Sequence, residues 1–126
     1  MSMRTPLGKV RGLGSAKAGT EHWLMQRVSA VANIPLVIGL VCFILAHIGR
    51  SRADMVASLH NPFVAIFLAL GLLSMVWHMK LGLQVVIEDY VHGHGAKFAA
   101  LLLNGAYAAL LAAAGLYAIL KMSFGS

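Results

Sequence analysis

Three long stretches of the sequence contain no Asp, Glu, Lys or Arg, and they constrain the fold more than any other feature. They cover residues 28–49, 55–79 and 98–120. A helix that crosses about 30 Å of hydrocarbon needs roughly 20 residues at about 1.5 Å of rise each. Because each stretch meets that length, the sequence predicts a chain that crosses a membrane three times.

The composition favours lipid over water as the solvent. Of the 126 residues, 60% are hydrophobic and 11% are charged, against roughly 45–50% and about 25% in soluble domains. A globular chain of this size buries only about 60–70% of the surface that its unfolded state exposes. An ordinary soluble domain and a disordered chain are therefore excluded, and the single cysteine, Cys42, excludes a disulfide scaffold. The net charge of +6 comes from scattered basic residues, so we predict no nucleic-acid partner.

The fold class predicted from these stretches is all-α, a transmembrane bundle of three helices. Pro62 suits the first turn of the second helix, and residues 58–61 before it are typical of a loop. Pro35 predicts a kink in the first helix because its ring removes one backbone hydrogen bond. The predicted division of the chain is an N-terminal tail at 1–21 and a membrane anchor domain at 22–126, with helices at about 24–49, 62–89 and 97–121.

Small side chains in the predicted spans favour close contact between helices. Because lipid removes the hydrophobic drive, transmembrane helices pack by letting their backbones approach through small residues. We therefore expect a compact bundle. The small residues are Ser29, Ala30, Ala32 and Gly39 in the first helix, and Gly105, Ala108, Ala109, Ala112 and Gly115 in the third.

The distribution of Lys and Arg predicts the orientation, since segments rich in these residues stay on the cytoplasmic side. With the N-terminus inside, the outer side holds only Arg50, Arg52 and Lys121. The inner side then holds Arg4, Lys9, Arg11, Lys17, Arg27 and Lys97. We therefore expect residues 1–21 in the cytoplasm and the spans in a bacterial inner (plasma) membrane. The short tail makes the mitochondrial inner membrane the less favoured location.

His78 is the deepest histidine, and its helical face carries only small neighbours. At about 100° per residue, Gly71 lies about 20° away around the helix, and Ser74 and Gly82 lie about 40° away on either side. This stripe predicts room for a flat ligand such as haem, whose iron takes a neutral imidazole nitrogen as an axial ligand. A hydrogen bond to another helix is the alternative. Since His47 lies near the opposite membrane surface, a six-coordinate haem needs a histidine from another polypeptide.

Asp89 and Tyr90 end the second predicted helix at the membrane surface. A phenol beside a carboxylate is able to hydrogen-bond a quinone carbonyl and relay a proton; an interfacial tyrosine next to a solvated acidic helix end is the alternative. Arg27 either pairs with an anion, such as a haem propionate or a partner's acid, or extends its charge to the membrane surface. Lys80 points about 200° from His78 around the helix, toward the inner surface or a partner subunit.

Residues 78–90, His-Met-Lys-Leu-Gly-Leu-Gln-Val-Val-Ile-Glu-Asp-Tyr, resemble the signature of a known family. The matching residues are His78, Gly82, Asp89 and Tyr90. At the end of the second of three spans, this pattern is similar to that of the small hydrophobic membrane-anchor subunit (D subunit) of succinate dehydrogenase, respiratory complex II. Residues 19–30, Gly-Thr-Glu-His-Trp-Leu-Met-Gln-Arg-Val-Ser-Ala, resemble the start of the first helix in alphaproteobacterial forms. The resemblance covers about residues 19–121.

The resemblance implies a set of roles and partners. His78 matches the axial ligand of haem b, whose second ligand comes from a companion cytochrome b anchor subunit (C subunit). Tyr90 matches the tyrosine that hydrogen-bonds ubiquinone, Asp89 the neighbouring acid, and Arg27 an arginine near the haem propionates. In the family, a flavoprotein subunit oxidises succinate, and an iron–sulfur subunit passes the electrons to quinone. The chain is then an enzyme subunit embedded in membrane lipid, with no succinate-oxidising residues of its own.

Two alternative functions stay open from the sequence. The anchor of a fumarate reductase shares this architecture, and the sequence does not decide the direction of the reaction. A cofactor-free structural membrane subunit or a small transporter is a different class. A transporter is expected to show internal repeats or charges in several spans, and neither is evident. No Ser/His/Asp set, phosphate loop or zinc motif indicates another catalytic centre.

Overall fold

The computed structural model describes residues 5–12 and 19–125, and all regular structure in these ranges is helical. Three of the helices, α2, α4 and α5, are long and apolar enough to cross a membrane. The predicted all-α fold with three transmembrane helices is therefore confirmed for this part of the chain. Arg4 and Lys17 of the predicted tail lie outside the described residues. The helices are α1 (Pro6–Val10), α2 (Gly19–His47), α3 (Arg52–Leu59), α4 (Pro62–Tyr90) and α5 (His94–Phe124).

The helix α2 begins and ends earlier than predicted. It starts at Gly19 instead of about residue 24, and it ends at His47 instead of residue 49. Its end is followed by Gly49, whose φ of +74° is the left-handed conformation that glycine adopts without steric cost. Pro35 lies inside α2, which continues through it as one helix.

The helix α4 matches its predicted bounds to within one residue. The side-chain oxygen of Asn61 accepts a hydrogen bond from the Phe63 backbone N–H at 3.0 Å and so caps the first turn. Pro62 occupies the first turn, where a backbone N–H has no partner within the helix, so the missing N–H of proline costs no hydrogen bond. The helix α5 extends three residues beyond the prediction at each end, from His94 to Phe124.

Two short helices lie where the prediction has only irregular chain. The helix α3 lies between the first two predicted spans and reaches into the loop expected at 58–61, and it forms because Ser51 and Asp54 make a capping box. Ser51 Oγ accepts from the Asp54 backbone N–H at 3.2 Å, and Asp54 Oδ2 accepts from the Ser51 backbone N–H at 3.1 Å. Leu59, at 1% exposure, anchors this helix on the bundle. The helix α1 lies in the predicted tail, where the Thr5 hydroxyl accepts from the Gly8 backbone N–H at 3.0 Å.

The helix α4 is central to the bundle, since it packs against both α2 and α5. Gly39 of α2 faces the Phe67 ring of α4, and Gly115 of α5 faces the Leu72 side chain of α4. A Cβ atom at either glycine would overlap those side chains, so packing through small residues is confirmed at both contacts. We call the end of the bundle that carries α3 the α3 end, and the opposite end, where α4 finishes, the Tyr90 end.

Candidate functional site between α2 and α4

His78 is held by a hydrogen bond between α2 and α4. Its Nδ1 lies 3.0 Å from Ser29 Oγ, and the same hydroxyl lies 3.0 Å from the backbone oxygen of Gln26. The hydroxyl has one proton, which it donates to the Gln26 carbonyl, so its oxygen accepts from the protonated Nδ1 of His78. In that tautomer Nε2 is the ring nitrogen that carries a lone pair.

The stripe of small residues beside His78 is covered by α2. A Cβ atom on Gly71 would lie 3.9 Å from Leu36 Cβ, and one on Gly82 would lie 3.7 Å from Gln26 Nε2. At these two glycines α2 therefore occupies the space beside the stripe, and room for a flat ligand along the rest of it stays a prediction. A helical wheel identifies the residues that share a face, but it does not identify the helix that covers them. We call this contact surface between α2 and α4 the α2–α4 seam.

A second polar stripe, on α2, was not recognised from the sequence. His22, Gln26, Ser29 and Asn33 recur at intervals of four, three and four residues and so share one face of the helix. Three buried atoms of this stripe, His22 Nε2, Gln26 Oε1 and Asn33 Oδ1, have no hydrogen-bond partner among the described residues. An unsatisfied polar group in hydrocarbon costs several kcal/mol, on the order of 2–7 for an amide. The seam therefore needs water, a ligand or another polypeptide to complete it.

Asp89 and Tyr90 lie together at the end of α4 but far from His78. Tyr90 is 77% exposed and Asp89 is also exposed. Twelve residues separate Tyr90 from His78, which places them about 18 Å apart along the helix axis. The structure therefore gives two separate candidate sites, and the exposed phenol needs a surface outside this chain to enclose any ligand.

A cavity of about 450 Å³ lies between α2 and α4 at the Tyr90 end. Its polar lining comes from Glu21, His22, Gln84 and Glu88, of which only Glu88 stands out in the sequence, as an acidic residue at the end of a span without an assigned role. Gln84 Nε2 donates to Glu88 Oε1 at 2.8 Å, so these two side chains form one of its walls. Neither His78 nor the exposed pair at the helix end lines this cavity.

Arg27 faces away from His78. Its guanidinium lies 5.4 Å from the centroid of the Trp23 ring, one turn earlier on α2. Ser29 is two positions after Arg27, so the two side chains lie about 160° apart around the helix. Because Ser29 contacts His78, the exposed Arg27 is on the far side of α2, and any anion that it binds comes from outside this chain.

His47 has a local structural role at the α3 end. Its Nδ1 lies 2.7 Å from the Phe43 backbone oxygen, and its Nε2 lies 2.8 Å from Ser58 Oγ of α3. These bonds join the end of α2 to α3, far from His78. Within the described ranges, no group of three or more His, Cys, Asp or Glu side chains is placed to hold a metal ion. A metal at His78 therefore needs its other ligands from elsewhere.

Comparison with known proteins identifies the family of this chain. The family described as "Succinate dehydrogenase/Fumarate reductase transmembrane subunit" matches residues 1–119. The succinate dehydrogenase hydrophobic membrane anchor subunit of Paracoccus denitrificans is 33% identical over 122 residues, which are 97% of this chain and 94% of that protein. The protein of the same name from Rickettsia bellii is 35% identical over 88 residues, 70% of each chain.

A third relative carries a similar name. The succinate dehydrogenase membrane anchor subunit of Reclinomonas americana is 30% identical over 90 residues, which are 69% of this chain and 75% of that protein. No solved structure matches the chain significantly. Because the family match covers nearly the whole sequence and three helices are fit to cross a membrane, this chain is a membrane protein that belongs to the succinate dehydrogenase/fumarate reductase transmembrane subunits.

Proposed function

We propose that this chain is the hydrophobic anchor of a succinate:quinone oxidoreductase in a bacterial inner membrane. It docks the iron–sulfur and flavoprotein subunits on the cytoplasmic surface, at the Tyr90 end, and packs with a companion cytochrome b anchor subunit. Support comes from the names of its relatives and from the basic residues near the start of α2 and at Lys97. Succinate is oxidised on the flavoprotein, so this chain contributes to electron delivery and not to succinate binding.

The same proposal makes His78 one of two axial ligands of a haem b. The observation that carries it is the hydrogen bond from His78 Nδ1 to Ser29 Oγ at 3.0 Å. Metal-binding histidines donate their second ring nitrogen in this way, which fixes the tautomer and orients the ring. The donor chemistry thus fits haem, which supplies one-electron transfer when bound. The second axial histidine comes from the companion subunit.

Arg27 and the pair at the end of α4 complete the proposed sites. Tyr90 donates its phenolic hydrogen to a ubiquinone carbonyl, and Asp89 beside it passes protons from the aqueous surface. Their exposure at the Tyr90 end supports this role, because reduction of the quinone consumes protons from water. Arg27 pairs with a haem propionate only where that group reaches the outward face of α2, to which the guanidinium points.

The haem assignment is tested by His78→Ala in the purified complex. We expect the reduced-minus-oxidised absorption band of haem b to be lost or shifted, because the iron loses one axial nitrogen. His47→Ala, a change to the histidine at the α3 end, is the matched control and leaves the band unchanged. An unaltered band in the His78→Ala complex contradicts the assignment.

The quinone assignment is tested by Tyr90→Phe, which removes one hydroxyl and keeps the ring. Ubiquinone reduction by succinate should fall about 10²-fold or more, while reduction of an artificial soluble acceptor stays at the wild-type rate. Tyr107→Phe, at an exposed tyrosine of α5, is the control and changes neither rate. Equal losses in both assays with Tyr90→Phe indicate a structural role instead.

A further inference from the structure

Lys80 places an ammonium group inside the hydrocarbon layer. It lies eight residues before Glu88 on α4, about 12 Å along the axis from the polar end of the helix. Its Nζ lies 5.0 Å from the centroid of the Trp77 ring, three residues nearer the helix N-terminus. Helical side chains lean toward the N-terminus, so this ammonium points deeper into the membrane and does not extend to the nearer surface.

The contact with Trp77 offsets only part of the cost of that charge. A cation over an indole ring is stabilised by the ring quadrupole, but an intramembrane charge usually has an anionic or carbonyl partner as well. The nearest acidic residue on α4, Glu88, uses a carboxylate oxygen to accept from Gln84 Nε2 at 2.8 Å. Among the described residues, no carboxylate is hydrogen-bonded to Lys80.

A groove with small walls adjoins this ammonium between α4 and α5. It has a volume of about 250 Å³, and a Cβ atom on Gly105 would have no neighbour within 4 Å. Small residues at such spacing let another helix approach closely in lipid. The larger side chains of the lining come from α4 and the small ones from α5: Leu73, Val76, Trp77 and Lys80, and Gly105, Ala108, Ala109 and Ala112.

Asn104 gives an independent sign that the α4–α5 contact beside the groove is incomplete. The residue is 7% exposed, and its Nδ2 donates to the Lys80 backbone oxygen at 2.9 Å. Its Oδ1 is buried without a hydrogen-bond partner in the described part of the chain. In the described part of the chain, the Asn104 amide oxygen thus lacks a donor and the Lys80 ammonium lacks an anion, although Asn104 itself does not line the groove.

We infer that this groove docks a transmembrane helix of a different polypeptide that carries an Asp or Glu at the depth of Lys80. A second copy of this chain does not supply that acid. Its four acidic residues, Glu21, Asp54, Glu88 and Asp89, all lie toward the ends of the long helices or outside them. An anionic lipid headgroup stays at the membrane surface, about 12 Å away.

The contact is separate from the haem-binding face of α4. Lys80 and His78 point about 160° apart around the helix, and Ser29 approaches only the side of His78. The inference rests on the proposed function in one respect, namely that the assembled complex provides the partner helix. It assigns to Lys80 a role that neither haem ligation nor quinone binding includes.

The test compares subunit retention in the complex purified through a tag on this chain. Lys80→Met keeps the length of the side chain and removes its charge, and we expect it to lower the companion subunit recovered per tagged chain about tenfold. Lys80→Arg keeps the charge and retains the subunit. Lys121→Met, at an exposed lysine near the end of α5, is the control and retains it fully.

Gly105→Leu provides a second variant that does not depend on charge. Because a side chain there meets nothing within 4 Å, the chain itself folds and accumulates in the membrane, while the filled groove rejects the partner helix. Retention of the companion at the wild-type level by both Lys80→Met and Gly105→Leu overturns the inference. A wild-type chain that purifies with no companion subunit overturns the proposed function instead.

Site-specific cross-linking identifies the occupant. With Cys42→Ser removing the native thiol, a cysteine introduced by Ala109→Cys should cross-link to a transmembrane peptide that contains an Asp or Glu. Exchange of the charges, by Lys80→Glu together with replacement of that acid by Lys, should restore retention. A cross-link to a second copy of this chain, or to a peptide without an intramembrane acid, contradicts the inference.

Discussion

The two ends of the bundle differ in how far their polar groups are satisfied within the chain. At the α3 end, His47 bonds to Phe43 and Ser58, and His60 Nε2 lies 3.1 Å from the Gly125 backbone oxygen. From the middle of the bundle to the Tyr90 end, buried atoms without a partner among the described residues accumulate. They belong to His22, Gln26, Asn33 and Asn104. Among the described residues, the polar side chains named at the α3 end thus have partners within the chain, whereas the rest of the bundle leaves buried polar atoms without one.

The largest effect is expected at the packed contacts near the α3 end. Gly115→Leu forces a side chain into the volume of Leu72 and should destabilise the bundle by about 1–3 kcal/mol or more. The chain should therefore accumulate poorly in the membrane and melt at a lower temperature in detergent. Gly95→Leu, on the same helix with nothing within 4 Å of its Cβ, is the control. Equal accumulation of the two variants would show that the α3 half is not closely packed.

The next largest effect is expected at Ser29, in the part of the bundle where buried polar atoms lack partners. Ser29→Ala removes the acceptor of His78 Nδ1, so the imidazole donates less electron density to a bound iron and the reduced form is favoured. We expect the midpoint potential of haem b to rise, with a threefold to tenfold larger reduced-to-oxidised ratio at fixed ambient potential. A tenfold change corresponds to about 59 mV for one electron.

Two companion variants control for packing in that experiment. Ser29→Thr keeps a hydroxyl and should restore the potential, while Ser58→Ala removes a serine hydroxyl at the α3 end and should leave the potential unaltered. A potential that stays constant in Ser29→Ala would remove Ser29 as the positioning residue of His78, although His78 would still be free to bind iron.

The spans were predictable from sequence because charge in lipid is costly, so its absence marks them directly. Pro62 and Asn61 also fixed the start of α4 locally, since a cap depends on adjacent residues. The helix α3 was missed although Ser51 and Asp54 carry a capping-box pattern, because its eight residues are too few for an apolar period to stand out. Local signals were therefore reliable for the three long helices and incomplete for the short helices α1 and α3.

Of the contact between α2 and α4, the sequence indicated His78 but not its partner Ser29. His78 stands out as an ionisable group in an apolar span, but its contact with Ser29 joins positions 49 residues apart. In the sequence, Ser29 indicated only a small packing residue. The small residues beside His78 predicted open space, whereas α2 lies over Gly71 and Gly82. The polar residues of α2 recur at intervals of four, three and four, from His22 to Asn33. This periodicity is present in the sequence and predicts a polar face on α2, which is the face that contacts His78.

A smaller effect tests whether the α3 end is held together by its own hydrogen bonds. Ser58→Ala removes the partner of His47 Nε2 and should cost about 1 kcal/mol, the net value of a typical hydrogen bond. Thermal melting in detergent should shift down slightly, with no change in haem absorption or in the rate of ubiquinone reduction. A loss of quinone activity would instead mean that hydrogen bonds at the α3 end affect the Tyr90 end, so that the two ends are not independent.

The smallest effect is the pH dependence of the α3 cap. Hydrogen bonds from the Ser51 side chain, and then from its backbone, hold the pKa of the Asp54 carboxyl below its usual value of 3.8. A lowered folded-state pKa contributes stability that is present above the unfolded value and is lost as the pH falls through the folded value. Asp54→Asn should therefore melt at a lower temperature than wild type above about pH 4, with the difference vanishing in stronger acid.

Because the Asp54 carboxyl is fully exposed, this difference in melting temperature is expected to be small. Ser51→Ala should reduce it further, because it removes the group that lowers the pKa. A difference that grows as the pH falls would reverse the assigned sign and mean that the acid, and not its carboxylate, caps the helix.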